Sequence, residues 1–179
     1  MRARLICSIL TGFAVLLMAC TSSPAGERAA EYARKAKVEQ AAREFFTTFA
    51  DRKDWKKMLS FYRYDMHFED IMLQIKIFSK EDFKNFYNWE EGNFQKLSSD
   101  QPHLVLKSLV VNDSVAVGTG YFNPFYYNGE LQDWKWGSEF TIWLQFDEQL
   151  KIKRQVDFIE YPDVVLEDVI TRYRQSRNY

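Results

Sequence analysis

An α+β fold is what this chain predicts. Helical spacing of apolar residues governs the early part of the sequence, and alternating apolar residues govern its second half. The order is helices, a strand region, one capped helix and then a run of long antiparallel strands, which is a mixed architecture and not a regular βαβ alternation. An aromatic content of 17% adds the means for a large core or an aromatic-lined cavity.

The first element is a leader. Arg2 and Arg4 form a positive head, and Leu5–Met18 is an apolar run too short for an ordinary membrane-spanning helix. The closing Leu16-Leu17-Met18-Ala19-Cys20 resembles the bacterial lipobox, in which the peptide is cut before a cysteine that carries acyl chains. That resemblance implies lipidation at Cys20, removal of residues 1–19, and a membrane as partner through acyl chains on Cys20. It also implies a bacterial cell envelope location. Thr21, where an aspartate would retain the chain, is similar to signals for the outer membrane, facing the periplasm. Residues 20–36 form the tether and the start of the first helix, with Thr21–Gly26 (TSSPAG) small, polar and flexible. Residues 37–179 form the domain.

Loss of residues 1–19 removes two arginines and no carboxylate, taking the formal net charge from −1 to −3. No basic block remains, which excludes nucleic acid as a partner class. Cys7 leaves with the leader and Cys20 is committed to acylation, so the domain has no thiol for a disulfide or a metal. Two histidines cannot build a metal site without carboxylates, and nothing calls for a cofactor. No glycine-rich phosphate loop, nucleophile elbow or Cys/His couple is present. The domain is long enough to be stabilised by packing alone.

Within the domain, Val38, Ala41, Ala42, Phe45, Phe46 and Phe49 recur at spacings of three and four and predict a helix over about 27–50. Ala29, Ala30, Ala33 and Ala36 add helix propensity ahead of them. A short helix follows over about 55–61, then a strand over 64–70. Ile71, Leu73, Ile75 and Ile77 alternate and continue as strand to Phe78. Ser79-Lys80-Glu81-Asp82 is a capping box, opening a helix to about Trp89 with Phe83, Phe86 and Tyr87 on one side. Antiparallel sheet is predicted from about His103 to Glu160. Its strands are Leu104–Val111, Ser114–Phe122, a hairpin at Asn128-Gly129, Trp134–Phe146 and Lys151–Tyr161. Pro162 ends the last strand, and Asp163–Arg174 predicts a C-terminal helix.

Three segments carry a family resemblance. Met58–Asp70 (MLSFYRYDMHFED) is similar to a "lyaDDvvFeD" pattern, Ser79-Lys80-Glu81 opens the expected helix, and Phe146–Glu160 (FDEQLKIKRQVDFIE) is similar to "f-d-x-G-K-I-x-x-h-R-D-Y-w-D". In this order they resemble the SnoaL-like branch of the nuclear-transport-factor-2-like superfamily, over roughly Val38–Tyr161. The resemblance implies a cone-shaped roll, with a strongly curved antiparallel sheet packed on N-terminal helices around an apolar cavity. Relatives that dimerise through the convex sheet face imply a homodimer.

The candidate site follows from that cavity. Asp70 ends a strand that faces the cavity mouth in the family. Desolvation there raises a carboxyl pKa, although an aspartate at a strand end also caps turns. Asp157 matches the first aspartate of "R-D-Y-w-D", but Val156 replaces the arginine. Simple alternation also turns Asp157 away from a core made by Ile152, Val156 and Phe158 unless a bulge re-aims it. Tyr62 is a candidate O–H donor to an oxyanion, as are Tyr64 and Tyr121. Phe45, Phe49, Trp89, Tyr121, Trp136 and Phe140 are the candidate lining. His67, three residues from Asp70, faces the opposite side of its strand, and His103 beside Pro102 reads as a solvated loop residue. The charge pair of catalytic epoxide hydrolases is missing from Val115–Tyr121.

The resemblance therefore implies a lipid-anchored domain that binds a small apolar or amphipathic ligand, or a protein partner. One rival is a proton-transfer isomerase, dehydratase or cyclase using a cavity aspartate. Another is a structural module whose cavity is filled by side chains. Fold alone does not choose among them.

Overall fold

The computed structural model describes residues 24–89, 93–133 and 139–177. Residues 1–19, Cys20 and Trp136 lie outside the described residues. Helix α1 (Pro24–Asp51) runs through the predicted apolar stripe. Val38, Ala42, Phe45, Phe46 and Phe49 are all buried, each large side chain contributing about 1.5–3 kcal/mol of transfer free energy. Pro24, Ala25 and Gly26, expected as part of a flexible segment, are already helical. Arg34 anchors this helix by donating to the backbone carbonyls of Asp113, Asp147 and Glu148.

Helix α2 (Trp55–Ser60) starts at Asp54, whose carboxylate accepts from Lys57 N at 2.8 Å. Strand β1 (Tyr62–Asp70) follows and alternates, with Met66, Phe68 and Asp70 inward. The expected continuous strand beyond it is corrected. Residues 71–74 form a turn with Gln74 at φ 56°, and β2 (Ile75–Ile77) folds back antiparallel on β1. The Asp70 carboxylate makes that turn by accepting from Leu73 N at 2.9 Å, a contact that apolar alternation does not report. Helix α3 (Lys80–Tyr87) opens on Ser79, whose Oγ accepts from Asp82 N at 3.1 Å, and closes on Asn88 in the left-handed region.

Three short strands, β3 (Phe94–Lys96), β6 (Phe125–Tyr127) and β7 (Glu130–Gln132), form their own small sheet; β3 was not expected. The long strands are β4 (Leu104–Val111), β5 (Val115–Phe122), β8 (Glu139–Phe146) and β9 (Ile152–Ile159). With β1 and β2 they build a six-stranded sheet in the order β2-β1-β9-β8-β5-β4. All pairs are antiparallel except β1 with β9, which is parallel.

Curvature has local causes. Register shifts interrupt β4 at Lys107, β1 between Tyr62 and His67, and the β8–β9 pair between Gln145 and Phe146. On β5, a Cβ at Gly118 would lie 2.2 Å from the Phe46 ring, and one at Gly120 would lie 1.9 Å from the Val105 carbonyl oxygen. Bare backbone at these positions lets α1 press into the bend. Helix α4 (Asp163–Arg177) closes the other end through Val165 and Val169. Among the described residues, no helix is long and apolar enough to cross a membrane.

Candidate functional site

The β8–β9 irregularity decides the site. Phe146 pairs with Ile152 and Gln145 with Arg154, so Lys153 is the extra residue that resets alternation. Ile152 points inward, and so then do Gln155, Asp157 and Ile159, while Phe158 is exposed. Asp157 is thus fully buried, contrary to the outward direction that simple alternation gives.

Parallel pairing sets Asp157 directly beside Asp70. Each carboxyl has a tyrosine donor. Tyr87 Oη donates to Asp157 Oδ2 at 2.7 Å, and Tyr161 Oη donates to Asp70 Oδ2 at 2.6 Å. Gln155 Nε2 donates to Asp157 Oδ1 at 2.7 Å, and Tyr62 Oη donates to Gln155 Oε1. Burial raises the Asp157 pKa to about 8, and the neighbouring Asp70 adds to the rise; bonds from Tyr87 and Gln155 oppose it. Burial also raises Asp70, against the bonds from Tyr161 and the turn amides. Desolvation, together with the facing carboxyls, pushes the Tyr87 and Tyr161 hydroxyls well above the usual phenol value. A value near 8 favours the protonated form of Asp157 at neutral pH.

A hollow of about 80 Å³ lies in front of the tyrosines. Its wall includes Phe49, Phe86, Tyr87, Phe122, Tyr161 and Val169, and its polar edge has Arg52, His103 and Arg172. Rings fill the interior around it. Phe45 packs edge-on against Phe46, Phe49 and Phe61, and Phe140 stacks on Phe46 at 6.2 Å; both are packing residues and line no part of the hollow. Phe49 does line it. Trp89 stacks on Phe49 at 5.8 Å, outside the hollow. Tyr121 is corrected outright. The inward positions of β5 are Ala116, Gly118 and Gly120, so Tyr121 lies on the outer face under Lys107. Tyr62 touches the site only through Gln155, and Tyr64 is exposed.

His103 is corrected as well. It is 7% exposed, packed among Phe94, Phe122 and Phe125, and burial drives its pKa well below the usual value. His67 stacks on Phe78 at 4.6 Å on the face opposite Asp70. Among the described residues, no cluster of three His, Cys, Asp or Glu is placed to hold a metal ion. Sequence reasoning overlooked Arg52, Tyr87 and Tyr161 as site residues. Tyr161 carried a signal, since it shares alternation with Asp157.

No family model matches this chain, and no curated protein matches its sequence. Solved structures do resemble it. A protein from Shewanella putrefaciens CN-32, assigned as a SnoaL-like polyketide cyclase, superposes with a TM-score of 0.57 at 17% identity, covering 75% of this chain and 96% of that one. A second, from Shewanella denitrificans OS-217 and assigned in the same way, gives 0.56 at 14% identity over 78% and 98%. TerC, co-crystallised with polyporic acid, gives 0.52 at 15% identity over 75% and 98%. The fold is the NTF2-like cone. At these identities the likeness establishes architecture and leaves the chemistry to the residues.

Proposed function

We propose that this chain is an envelope domain, held by lipid on Cys20, that binds a small amphipathic molecule in the hollow between sheet, α3 and α4. One observation supports this above the others: an apolar space backed by two tyrosine hydroxyls and edged by polar groups, which is the composition of a small-molecule site. Its volume suits a slim apolar group and not a fused ring system. Neighbours of the same fold are assigned as polyketide cyclases, and one was crystallised with an organic acid, which is compatible with a ligand here.

The test is fluorescence titration of the full chain with hexan-1-ol. Saturable binding is expected, and Val169→Trp, which fills the space, should abolish it. Binding that survives Val169→Trp would place the ligand elsewhere. For the anchor, Cys20→Ser should free the chain from membranes or block its maturation. Retention with normal processing would refute lipidation.

A proton-transfer role is the second reading, and the Asp157 cluster favours it. When Asp157 is protonated its O–H can donate to Tyr87, which frees the Tyr87 O–H to meet a ligand oxygen. Deuterium exchange at the α-carbon of butanone, followed by NMR, tests this. Acceleration of at least about ten-fold over buffer, lost in Asp157→Asn and Tyr87→Phe, is the expected signature of general acid–base help. A rate equal to buffer leaves only binding. The outer sheet face exposes Val110 on β4 and Phe158 on β9, a surface for a second copy. A monomer in ultracentrifugation at high micromolar concentration would refute that homodimer.

A further inference from the structure

The C-terminus of α1 delivers a cation to this hollow. Arg52 follows the last helical residue with φ 51°, its N–H bonded to Thr48 O at 3.1 Å. A left-handed residue at a helix end is usually glycine or asparagine, because a Cβ there is strained. Here the strained position carries the longest cationic side chain. The turn sends it across Phe94, with the guanidinium carbon 3.9 Å from that ring centroid and 5.2 Å from Trp89. Aromatic faces hold the cation without spending its N–H groups.

Those donors are nearly unused. Among the described residues Arg52 pairs with no carboxylate, and the one hydrogen bond of its side chain is from Nη2 to Tyr87 O at 3.5 Å. The other arginine at the hollow differs. Arg172 donates to Asp168 at 2.9 Å and to the carbonyls of Asn85 and Phe86. His103 is the second observation. Its ring lies 4.5 Å from the same Phe94, it lines the same hollow, and among the described residues its buried Nδ1 has no hydrogen-bond partner. A buried polar atom without a partner is costly, and such atoms recur where a ligand completes the bonding. Arg52 and His103 therefore present unspent polar groups around one ring, at the edge of an apolar space.

We infer that the ligand is a small monocarboxylate with a slim apolar tail, its carboxylate held by Arg52 and His103 and its tail in the hollow. The planar guanidinium fork fits a carboxylate, and the neutral imidazole can add a donor. Burial lowers the Arg52 pKa to about 9, so it remains cationic at neutral pH, and a bound anion would offset its desolvation. Tyr87, Tyr127 and Tyr161 face it as neutral phenols, Arg172 is already paired, and Glu160 at the rim is exposed. This inference rests on the hollow being a binding site, so its test separates the two ideas.

Hexanoate, hexan-1-ol and hexylamine are titrated against the full chain, the Arg52→Met variant and the Arg52→Lys variant, with thermal melts run alongside. In the native chain hexanoate should bind about ten-fold or more tightly than hexan-1-ol, as charge-assisted bonds require, and hexylamine more weakly than either. Arg52→Met should erase the preference and leave hexan-1-ol within about two-fold of native, and Arg52→Lys should keep part of it. If hexanoate and hexan-1-ol bind equally to the native chain, the carboxylate inference fails and the hollow stands. If no probe binds, the hollow itself fails as a site. A preference that survives in Arg52→Met overturns the role of that arginine. Should Arg52→Met not fold, the three-probe ranking on the native chain and on Arg52→Lys still decides.

Discussion

The two ends of the interior are built on the same sheet and share α1 and α3, yet they solve different problems. Toward the middle of α1, Phe45 meets Phe46 edge-on and Phe68 meets Phe83 edge-on, with Phe46 stacked on Phe140 and seated on bare backbone at Gly118. Those rings carry no hydrogen-bonding group. Toward α4, Phe49 and Phe86 give way to Tyr87 and Tyr161, whose hydroxyls bond to Asp157 and Asp70. That end keeps a hollow and two adjacent carboxyls with raised pKa values. The difference teaches that stability and chemistry have been separated along one core. Rings that differ from phenylalanine by a single hydroxyl mark the boundary.

The comparison breaks most visibly at the phenylalanine end. Phe46→Ala should cost about 3–5 kcal/mol in denaturant unfolding, as large cavities in aromatic cores do, while ligand affinity in the native state stays within about two-fold. A large loss of affinity would mean that the ends are coupled. Gly120→Ala comes next, at about 1–3 kcal/mol, because its Cβ must displace the Val105 carbonyl and part β4 from β5. A neutral melt would show that the sheet yields more easily than its curvature suggests.

Smaller effects sharpen the polar end. Tyr161→Phe removes the donor to Asp70 and leaves a buried carboxyl oxygen without it, for a loss of about 1–2 kcal/mol by chemical denaturation. Asp157→Asn works through pH. A carboxyl with a folded value near 8 and an ordinary value of 3.8 binds more protons in the native state. Its protonated form stabilises fully below pH 3.8, and that contribution is lost as pH rises toward about 8. Asparagine cannot ionise. Asp157→Asn should therefore gain on the native chain as pH rises from about 4 to about 8, by more than about 1 kcal/mol, or about 3 °C or more in melting temperature, with the two chains closest near pH 4. Parallel pH profiles for the two chains would rule out Asp157 as the group responsible.

Much of the frame was legible. The α1 stripe, the Ser79 capping box, the inward Phe140, Ile142, Leu144 and Phe146 of β8, and the final helix after Pro162 all follow from local spacing. The site was legible only as residue types. Asp70 and Asp157 were visible as candidates, but the direction of Asp157 depended on one inserted residue at Lys153, which alternation cannot see. Tyr121 was misplaced because an aromatic on a strand reads the same on either face until the glycines beside it reveal which face is crowded. His103 reads as solvated beside a proline, yet its backbone N–H donates to Ala50 O at 2.6 Å and holds it against the end of α1.

By itself, then, the sequence determined the elements and their class, because helical and strand periodicities are properties of neighbouring residues. Only the tertiary structure decided that β9 runs parallel to β1 and sets two aspartates side by side, and that Arg52 and His103 flank one phenylalanine ring. Those relations join residues far apart in the chain, through bulges and a left-handed helix end. They depend on which long-range packing satisfies buried groups, and no local pattern carries that information.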